Sequence, residues 1–138
     1  QNIAPLVETL LGRGLRVQIE TNGTLWIELP ESERLTIVCS PKTPGLHPDI
    51  VPRISAYKYV LSVDEVDAED GLPARSTQKE NYVMRLFRQK KAVAPIYVMP
   101  RDDGDENLNE RNRALCADIA MRHGYTLCLQ THKMLTLR

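Results

Sequence analysis

Four short polar clusters along the 138-residue chain carry side chains that can bind a small ligand. They are the segments 20–24 (ETNGT), 40–42 (SPK), 100–105 (PRDDGD) and 130–133 (QTHK). Carboxylates and amides form hydrogen bonds, whereas lysine and arginine pair with anions and histidine transfers protons near neutral pH. The clusters therefore offer recognition of a polar metabolite through hydrogen bonds and charge.

Each cluster also has a simpler structural explanation when it is considered alone. Asn22-Gly23 is a strong turn signal that needs no ligand. A solvated strand exit is the better explanation of Lys42 taken by itself. The acids of 102–106 precede a helix, where negative charge is stabilised by roughly 0.3–1 kcal/mol. His132 alone is more often a surface histidine than a catalytic one, so the functional interpretation rests on the clusters together.

Hydrophobic periodicity predicts the elements that must position these clusters. Helices are predicted over 3–11, 77–90 and 106–123, and strands over 15–19, 35–39, 57–63, 96–99 and 125–129. Asp105 and Gly124 are the expected caps of the third helix. Strands that alternate with helices or long connections imply parallel pairing in an α/β fold. Ligands bind at the carboxyl ends of such strands, so the four clusters are expected to converge on one edge.

Composition and charge argue against several classes of function. Lys and Arg total 18, as do Asp and Glu, and zero net charge provides no general attraction to nucleic acid or to an anionic membrane. We see no signal peptide and no apolar run near the ~20 residues that span a bilayer. The hydrophobic content of 42% suits a single domain over residues 1–138, which we expect to be cytoplasmic.

The cysteines Cys39, Cys116 and Cys128 do not follow a disulfide or zinc-binding pattern. Their number is odd, and no two of them have Cys-x-x-Cys spacing. Buried free thiols in a reducing compartment are the preferred interpretation. They lie far apart in sequence and inside predicted elements, which argues against shared ligation of an iron–sulfur cluster.

In combination, the clusters resemble the motifs of a known enzyme family. The segments QIETNGT (18–24), SPK (40–42), YKYVL (57–61) and LQTHK (129–133) are similar, in this order, to the later motifs of 7-carboxy-7-deazaguanine synthases. Those are radical-SAM enzymes of queuosine and 7-deazapurine biosynthesis. QIETNGT alone has related forms in other radical-SAM enzymes, but its combination with SPK and QTHK is much more specific. The resemblance covers essentially the whole chain.

The resemblance implies a fold and a place within it. The family has a modified or partial (β/α)6 TIM-like barrel, so we expect parallel strands with crossover helices and the C-terminal portion of a radical-SAM barrel. The family's three-cysteine motif and its Gly-Gly-Glu-Pro motif do not occur here. We therefore expect the N-terminal cluster-binding part to be absent and the chain to be inactive alone. An unpaired sheet edge in such a partial barrel favours a homodimer.

The family reaction implies cofactors and partners. It converts 6-carboxy-5,6,7,8-tetrahydropterin to 7-carboxy-7-deazaguanine with loss of ammonia. Its cofactors are S-adenosyl-L-methionine (SAM), a [4Fe–4S] cluster and Mg²⁺, which the protein positions and shields. The implied partners are the pterin substrate and an electron donor such as flavodoxin or ferredoxin. The ligands of the cluster and of Mg²⁺ are expected to be absent from this chain.

The resemblance assigns the first two clusters to SAM. Ser40, Pro41 and Lys42 match a SAM-binding segment. In it, Ser40 can donate a hydrogen bond and Lys42 can pair with the ligand carboxylate. Glu20 is placed to accept hydrogen bonds from ribose hydroxyls. Asn22, with the glycine after it, is expected to shape a turn that permits close approach of the ligand.

The last two clusters are assigned to SAM and to the substrate. A second SAM-binding segment of the family matches Met99, Pro100, Arg101 and Asp102. Met99 stands where the family usually has Gln, but the main chain there is still suited to hold an adenine edge. His132 matches a substrate-facing histidine. Arg138 matches the family's last residue, and as a terminus it would offer its carboxylate to the pterin.

Two other functions stay open at this point. A non-catalytic α/β module that binds a nucleotide or SAM would need the same polar edge. Another radical-SAM activating-type enzyme would share the fold but act on another substrate. A cysteine triad and Gly-Gly-Glu-Pro upstream would indicate an enzyme, whereas their natural absence would indicate the module. An assay with the carboxytetrahydropterin separates the two enzymes.

Overall fold

The main feature of the computed structural model, which describes residues 2–75, 85–90 and 93–135, is a five-stranded sheet. Its strands are β1 (Val17–Thr21), β2 (Leu35–Cys39), β3 (Ala56–Leu61), β4 (Ile96–Pro100) and β5 (Thr126–Leu127). The helices are α1 (Ala4–Gly12), α2 (Glu106–His123) and α3 (Thr131–Met134), with a 3-10 helix at Val51–Arg53. Within these ranges, no helix combines the length and the apolar character that crossing a bilayer requires.

All neighbouring strands pair in parallel, and their order across the sheet is their order along the chain. The register places Ile19 opposite Ile37, Cys39 opposite Tyr57, and Tyr59 opposite Val98. The predicted α/β fold with parallel strands is therefore confirmed. The sheet formed by the described residues is open, with β1 and β5 at its edges, and does not close into a barrel.

One face of the sheet carries the hydrophobic core. Strand side chains alternate between the two faces, and the apolar stripes of α1 and α2 cover one of them. A single buried cluster includes Ile37, Tyr59, Val98, Cys116, Ile119 and Val7. Because this cluster joins strand residues of one face to residues of both helices, the two helices lie on the same side of the sheet.

The opposite face of the sheet, which we call the open face, carries polar side chains beside apolar ones. Gln18 and Glu20 of β1 are exposed there. Lys58 of β3 and Tyr97 and Met99 of β4 share this face by register and are partly exposed. Successive residues of a strand point to opposite faces, so polar residues at alternate positions were placed here by the sequence itself.

Helix α2 begins after Asp105 and ends before Gly124, the two residues predicted to cap it. Asp105 Oδ1 accepts a hydrogen bond from the Leu108 N–H at 2.9 Å, which satisfies one of the unpaired donors of the first turn. Gly124 follows the last turn in a left-handed conformation with a φ of 69°. Cys116 and Ile119 of the predicted apolar stripe are buried.

Several strand boundaries differ from the predicted ones. β1 continues through Glu20 and Thr21 rather than ending at Ile19, because Thr21 still pairs in register with Cys39. β3 ends at Leu61, and β5 has only two residues. Pairing with a neighbouring strand sets these limits, and a pattern of residue types does not reveal that pairing. Glu20 therefore lies within β1 and not in the loop after it.

The expected crossover helices are present only in part. α2 connects β4 to β5 as predicted, and the connections 22–34 and 40–55, for which no helix was predicted, contain no α-helix. Pro30, Pro41, Pro44 and Pro48 recur in these connections. Proline removes an N–H donor and disfavours helix in the residue before it, which explains the irregular backbone.

The helix predicted over 77–90 is not supported where the structure describes it. Residues 76–84 lie outside the described residues, and residues 85–90 are not helical. Tertiary hydrogen bonds hold this segment instead, because the Phe87 N–H donates to the Thr43 carbonyl at 2.9 Å and the Tyr59 hydroxyl donates to the Phe87 carbonyl at 2.7 Å. Leu86 is buried, as predicted for the inner side.

Candidate functional site

The carboxyl ends of β1 and β2 form the first part of the candidate site. The Ser40 N–H donates a hydrogen bond to the Thr21 carbonyl at 2.7 Å, which joins the strand exits side by side. Pro41 is fully buried and anchors the second segment. Ser40 and Lys42, on either side of it, are partly exposed. The structure thus brings the clusters 20–24 and 40–42 together.

The Asn22-Gly23 turn is held by its own side chains. Asn22 Oδ1 accepts hydrogen bonds from Thr24 N at 3.0 Å and from Thr24 Oγ1 at 2.8 Å. The Gly23 N–H donates to Thr21 Oγ1 at 3.1 Å, and Gly23 has a φ of 78°, which favours glycine. The side-chain oxygen of Asn22 therefore shapes the turn, in agreement with the turn signal in the sequence.

Glu20 and Lys58 lie on the open face of the sheet, and Lys42 follows the end of β2 beside this turn. Lys58 Nζ is 2.5 Å from Glu20 Oε2, and Gln18 Nε2 is 3.4 Å from Glu20 Oε1. Burial lowers the pKa of Lys42, and the positive charge of Lys58 lowers it further. Two ammonium groups with one carboxylate leave an excess of positive charge that an anionic ligand group can neutralise.

The carboxyl end of β4 forms the second part of the site. The Arg101 N–H donates to the Leu61 carbonyl at 2.8 Å, which joins the exits of β3 and β4. Arg101 Nε is 2.6 Å from Asp103 Oδ1, and Arg101 Nη1 is 2.8 Å from Glu65 Oε2. The guanidinium group is therefore engaged within the protein, and its evident effect is to fix this loop.

Two asparagines of α2 hold the same loop. The fully buried Asn112 accepts a hydrogen bond from Val63 N at 2.9 Å, and its amide donates to the Arg101 carbonyl at 3.0 Å and to Asp103 Oδ2 at 2.8 Å. Asn109, one turn earlier, accepts from Asp103 N at 2.8 Å. A buried and satisfied network of this kind specifies one arrangement of the loop backbone.

A cavity of about 510 Å³ opens beside this loop. Its wall is formed by the exit of β4, the first turns of α2 and the segment after β5, and includes Pro100, Asp102, Asn109, Arg113 and Gln130. Asp102 Oδ1 accepts a hydrogen bond from Asn109 Nδ2 at 3.0 Å. The volume is in the usual range for a small-molecule site, so this end of the sheet can accommodate a heterocycle.

The remaining predicted site residues lie at other points of the same edge or beyond it. Met99 is on the open face of β4, opposite Val60 in register. His132 is exposed on α3, two residues after Gln130, which lines the cavity. Arg138 lies outside the described residues. The substrate-facing roles of His132 and Arg138 stay predictions.

The cysteines are placed for structural roles. Cys39 of β2 and Cys116 of α2 are fully buried, and burial raises the pKa of each thiol to about 12. They lie on different elements within the hydrophobic core, which suits packing roles. In the parts of the chain that the structure describes, no group of three or more His, Cys, Asp or Glu is arranged to hold a metal ion.

The prediction from sequence assigned no role to two residues that build this edge. Lys58 alternates with the buried Tyr57 and Tyr59, and that alternation was the signal that placed it on the open face. Asn112 precedes Cys116 by four residues, which is the spacing of the inner stripe of α2. A polar residue on an apolar stripe signals a buried hydrogen-bonding role.

The fold and its polar edge define a class of protein before any relative is considered. An open parallel sheet with a charged group at one end of its carboxyl edge and a cavity at the other is the arrangement at which α/β proteins bind small molecules. The chain is homologous to curated proteins named 7-carboxy-7-deazaguanine synthase, three of which match it. The family resemblance carried by its motifs is thereby confirmed.

The relatives match nearly all of this chain but only part of themselves. The 7-carboxy-7-deazaguanine synthase of Rhodospirillum rubrum is 52% identical over 99% of this chain and 60% of its own length. The protein of the same name from Rickettsia prowazekii is 35% identical over 98% of this chain and 53% of its own length. The chain therefore spans little more than half of these relatives. No family model matches the chain, and no solved structure matches it.

Proposed function

We propose that this chain is the C-terminal portion of a (β/α)6 TIM-like barrel. Strands that follow chain order, with α1 and α2 on one face, are the winding of a barrel. In a doubly wound sheet the strand order reverses and helices cover both faces. On this proposal the open face is part of the barrel interior, and further strands in the intact protein continue the sheet.

We propose that the intact protein is a radical-SAM lyase that converts 6-carboxy-5,6,7,8-tetrahydropterin to 7-carboxy-7-deazaguanine with loss of ammonia, in queuosine or 7-deazapurine biosynthesis. The observation that carries this proposal is the 52% identity to the Rhodospirillum rubrum synthase over 99% of the chain. SAM on a [4Fe–4S] cluster, with Mg²⁺, supplies the hydrogen-abstracting chemistry. The ligands of the cluster and of Mg²⁺ come from outside this chain, so the chain alone is inactive.

The first part of the site binds SAM through charge and hydrogen bonds. Ser40 donates a hydrogen bond, and the ammonium group of Lys42 pairs with the ligand carboxylate. Burial and the charge of Lys58 disfavour the ammonium form of Lys42 in the free protein. An arriving carboxylate reverses that effect, which makes the pairing stronger than it would be for a fully hydrated lysine. Glu20 accepts hydrogen bonds from the ribose hydroxyls of the same ligand.

The second part of the site holds the adenine end of SAM and adjoins the substrate. Pro100, Arg101 and Asp102 line the cavity in a loop that α2 fixes, and the adenine edge binds beside this segment in our proposal. His132 and a terminal carboxylate at Arg138 are the substrate-facing groups of this proposal. The enzyme takes electrons from a flavodoxin or ferredoxin and is a cytoplasmic homodimer. β5 is an edge strand of the described sheet, and an edge that stays unpaired there supports self-association.

Turnover by the intact protein tests the proposed function. The cluster-loaded enzyme, reduced under anaerobic conditions with SAM and 6-carboxy-5,6,7,8-tetrahydropterin, is expected to yield 7-carboxy-7-deazaguanine by mass spectrometry, whereas residues 1–138 alone yield none. SAM cleavage without that product would favour another radical-SAM activating-type enzyme. SAM binding without cleavage would favour a non-catalytic module.

Replacing Lys42 by alanine in the intact enzyme should weaken SAM binding at least about tenfold, since a hydrogen bond to a charged group contributes roughly 1.5–3 kcal/mol. Isothermal titration calorimetry with SAM measures the change. Arg122→Ala is the control, because Arg122 is an exposed cation in the last turn of α2, which leads into the amino end of β5 at the other end of the sheet. SAM affinity that is equal in the two variants would remove Lys42 from the site.

A further inference from the structure

Lys58 combines charge with burial in the middle of a strand. Its side chain is only 17% exposed, and its neighbours Tyr57 and Tyr59 are buried in the core on the other face. An ammonium group shielded from water needs a counter-charge. Glu20 provides it, with Oε2 2.5 Å from Lys58 Nζ. Since Glu20 is on β1 and Lys58 on β3, the lysine side chain extends across β2 to reach it.

This pair differs from an ordinary surface ion pair because its two members are unequally exposed. The Glu20 side chain is 54% exposed, whereas Lys58 is largely covered. The Gln18 amide lies 3.4 Å from the other oxygen of Glu20, so the sheet supplies a donor to both carboxylate oxygens. Each oxygen can accept a further hydrogen bond. The protein thus holds the carboxylate from one side and leaves its outer side accessible.

The pair of Lys58 and Glu20 also lies close to the segments 20–24 and 40–42 at the carboxyl edge of the sheet. Thr21, the residue after Glu20, accepts the hydrogen bond from Ser40 that joins these two segments. Lys58 is close enough to Lys42 that its charge lowers the pKa of that side chain. The Ser40 segment therefore lies beside the end of the strand that carries Glu20.

We propose that Lys58 is a positioning residue, which holds the Glu20 carboxylate on the open face so that it accepts two hydrogen bonds from a bound ligand. The matching ligand group is a neutral pair of donors. A ribose diol and the adjacent amide and amino N–H groups of a pterin both have this chemistry. The inference relies on the proposed function for the identity of these two ligands, but not for the geometry of the pair.

Substitution of Lys58 by methionine in the intact enzyme keeps the apolar stem and removes the ammonium group. The affinity of the ligand that Glu20 contacts should fall about tenfold, the size of effect expected for one charge-assisted contact. SAM affinity is measured by calorimetry and pterin KM by steady-state kinetics. Glu20→Gln should weaken the same ligand, and Glu20→Gln/Lys58→Met should be no weaker than Glu20→Gln alone. Lys58→Arg should restore most of the affinity.

The matched control is Arg122→Met, which removes the exposed pair of Arg122 and Asp118 at 2.6 Å and should leave both affinities unchanged. A fall in SAM affinity identifies the ribose as the partner of Glu20, and a fall in pterin affinity identifies the heterocycle. Losses that multiply in the double variant overturn the proposal. So do unchanged affinities for both ligands, even if the melting temperature falls, because that outcome describes a purely structural pair.

A second measurement needs no turnover. In ligand-free protein, Glu20→Gln should accelerate reductive methylation of Lys58 relative to that of the exposed Lys90, because Lys58 loses the negative charge that favours its unreactive ammonium form. An unchanged relative rate overturns the proposal, and this test holds even if Lys58→Met fails to fold. If the protein binds SAM without converting the pterin, the proposed function fails while the SAM measurements still decide the role of Lys58.

Discussion

Replacing Asn112 by aspartate should destabilise the protein by about 3 kcal/mol at neutral pH, since a buried hydrogen-bond donor is exchanged for an acceptor. The Asn112 amide donates to the Arg101 carbonyl and to Asp103 Oδ2 in a fully buried position. The substitution keeps the size of the side chain but sets its new oxygen against both of these acceptors. Urea denaturation of the variant and the wild type at the same pH measures the loss.

The pH dependence of this loss separates electrostatics from packing. Burial beside two acceptors should raise the folded-state pKa of the new carboxyl above its unfolded value of about 3.9. The protonated form can still donate one hydrogen bond, so the deficit relative to wild type should be smallest below about pH 4 and grow as the pH rises. Asn112→Leu has no titrating group there, and its deficit should not show this growth.

Asn109→Asp provides the matched control for Asn112→Asp. Asn109 is on the same side of α2, one turn earlier, but it is only partly buried and the group that accepts its amide hydrogen bond is exposed. Water can compensate there, so its loss should be about 1 kcal/mol or less. A deficit of Asn112→Asp that is no larger than that of Asn109→Asp would show that the buried network does not fix the loop.

The fold was predictable from sequence where local signals and tertiary pairing agree. Asp105 and Gly124 bound α2 because capping depends on residues next to the helix. The helix predicted over 77–90 had the right period, yet Phe87 bonds to Thr43 and Tyr59 in a segment that is not helical. Bonds to distant residues override local propensity in such cases.

The sequence predicted the edge of the sheet at which the candidate site lies, but it did not predict the contacts between the side chains there. Parallel pairing places the polar clusters at one end of the sheet, and the pattern of residue types predicted that pairing. It did not show that the Arg101 guanidinium is engaged by Glu65 and Asp103, or that Lys58 reaches Glu20 across a strand. Those contacts depend on the register between strands and on side-chain directions, which a single sequence does not encode locally.

Replacing Gly23 by alanine should destabilise the protein by roughly 2–4 kcal/mol, from the left-handed backbone and from overpacking together. Gly23 has a φ of 78°, and an added Cβ would lie 2.8 Å from Cys39 Sγ and 2.9 Å from Leu46 Cδ2. Leu46 can adjust, but Cys39 is fully buried on β2 and has little room to move. Equilibrium denaturation measures the effect, and SAM affinity should fall with it because this turn borders the Ser40 segment.

Two further substitutions separate the cost of the left-handed backbone from the cost of overpacking. Gly124 also has a positive φ, 69°, but an added Cβ there meets no atom within 4 Å, so Gly124→Ala reports the backbone cost alone, about 1 kcal/mol. Cys39→Ala removes the sulfur that the new methyl group would meet. In the Gly23→Ala background it should therefore cost less than in the wild type, and the difference is the energy of the clash. Equal losses for Gly23→Ala and Gly124→Ala, with additive effects of Cys39→Ala, would mean that the close approach of the turn to β2 carries no energetic constraint.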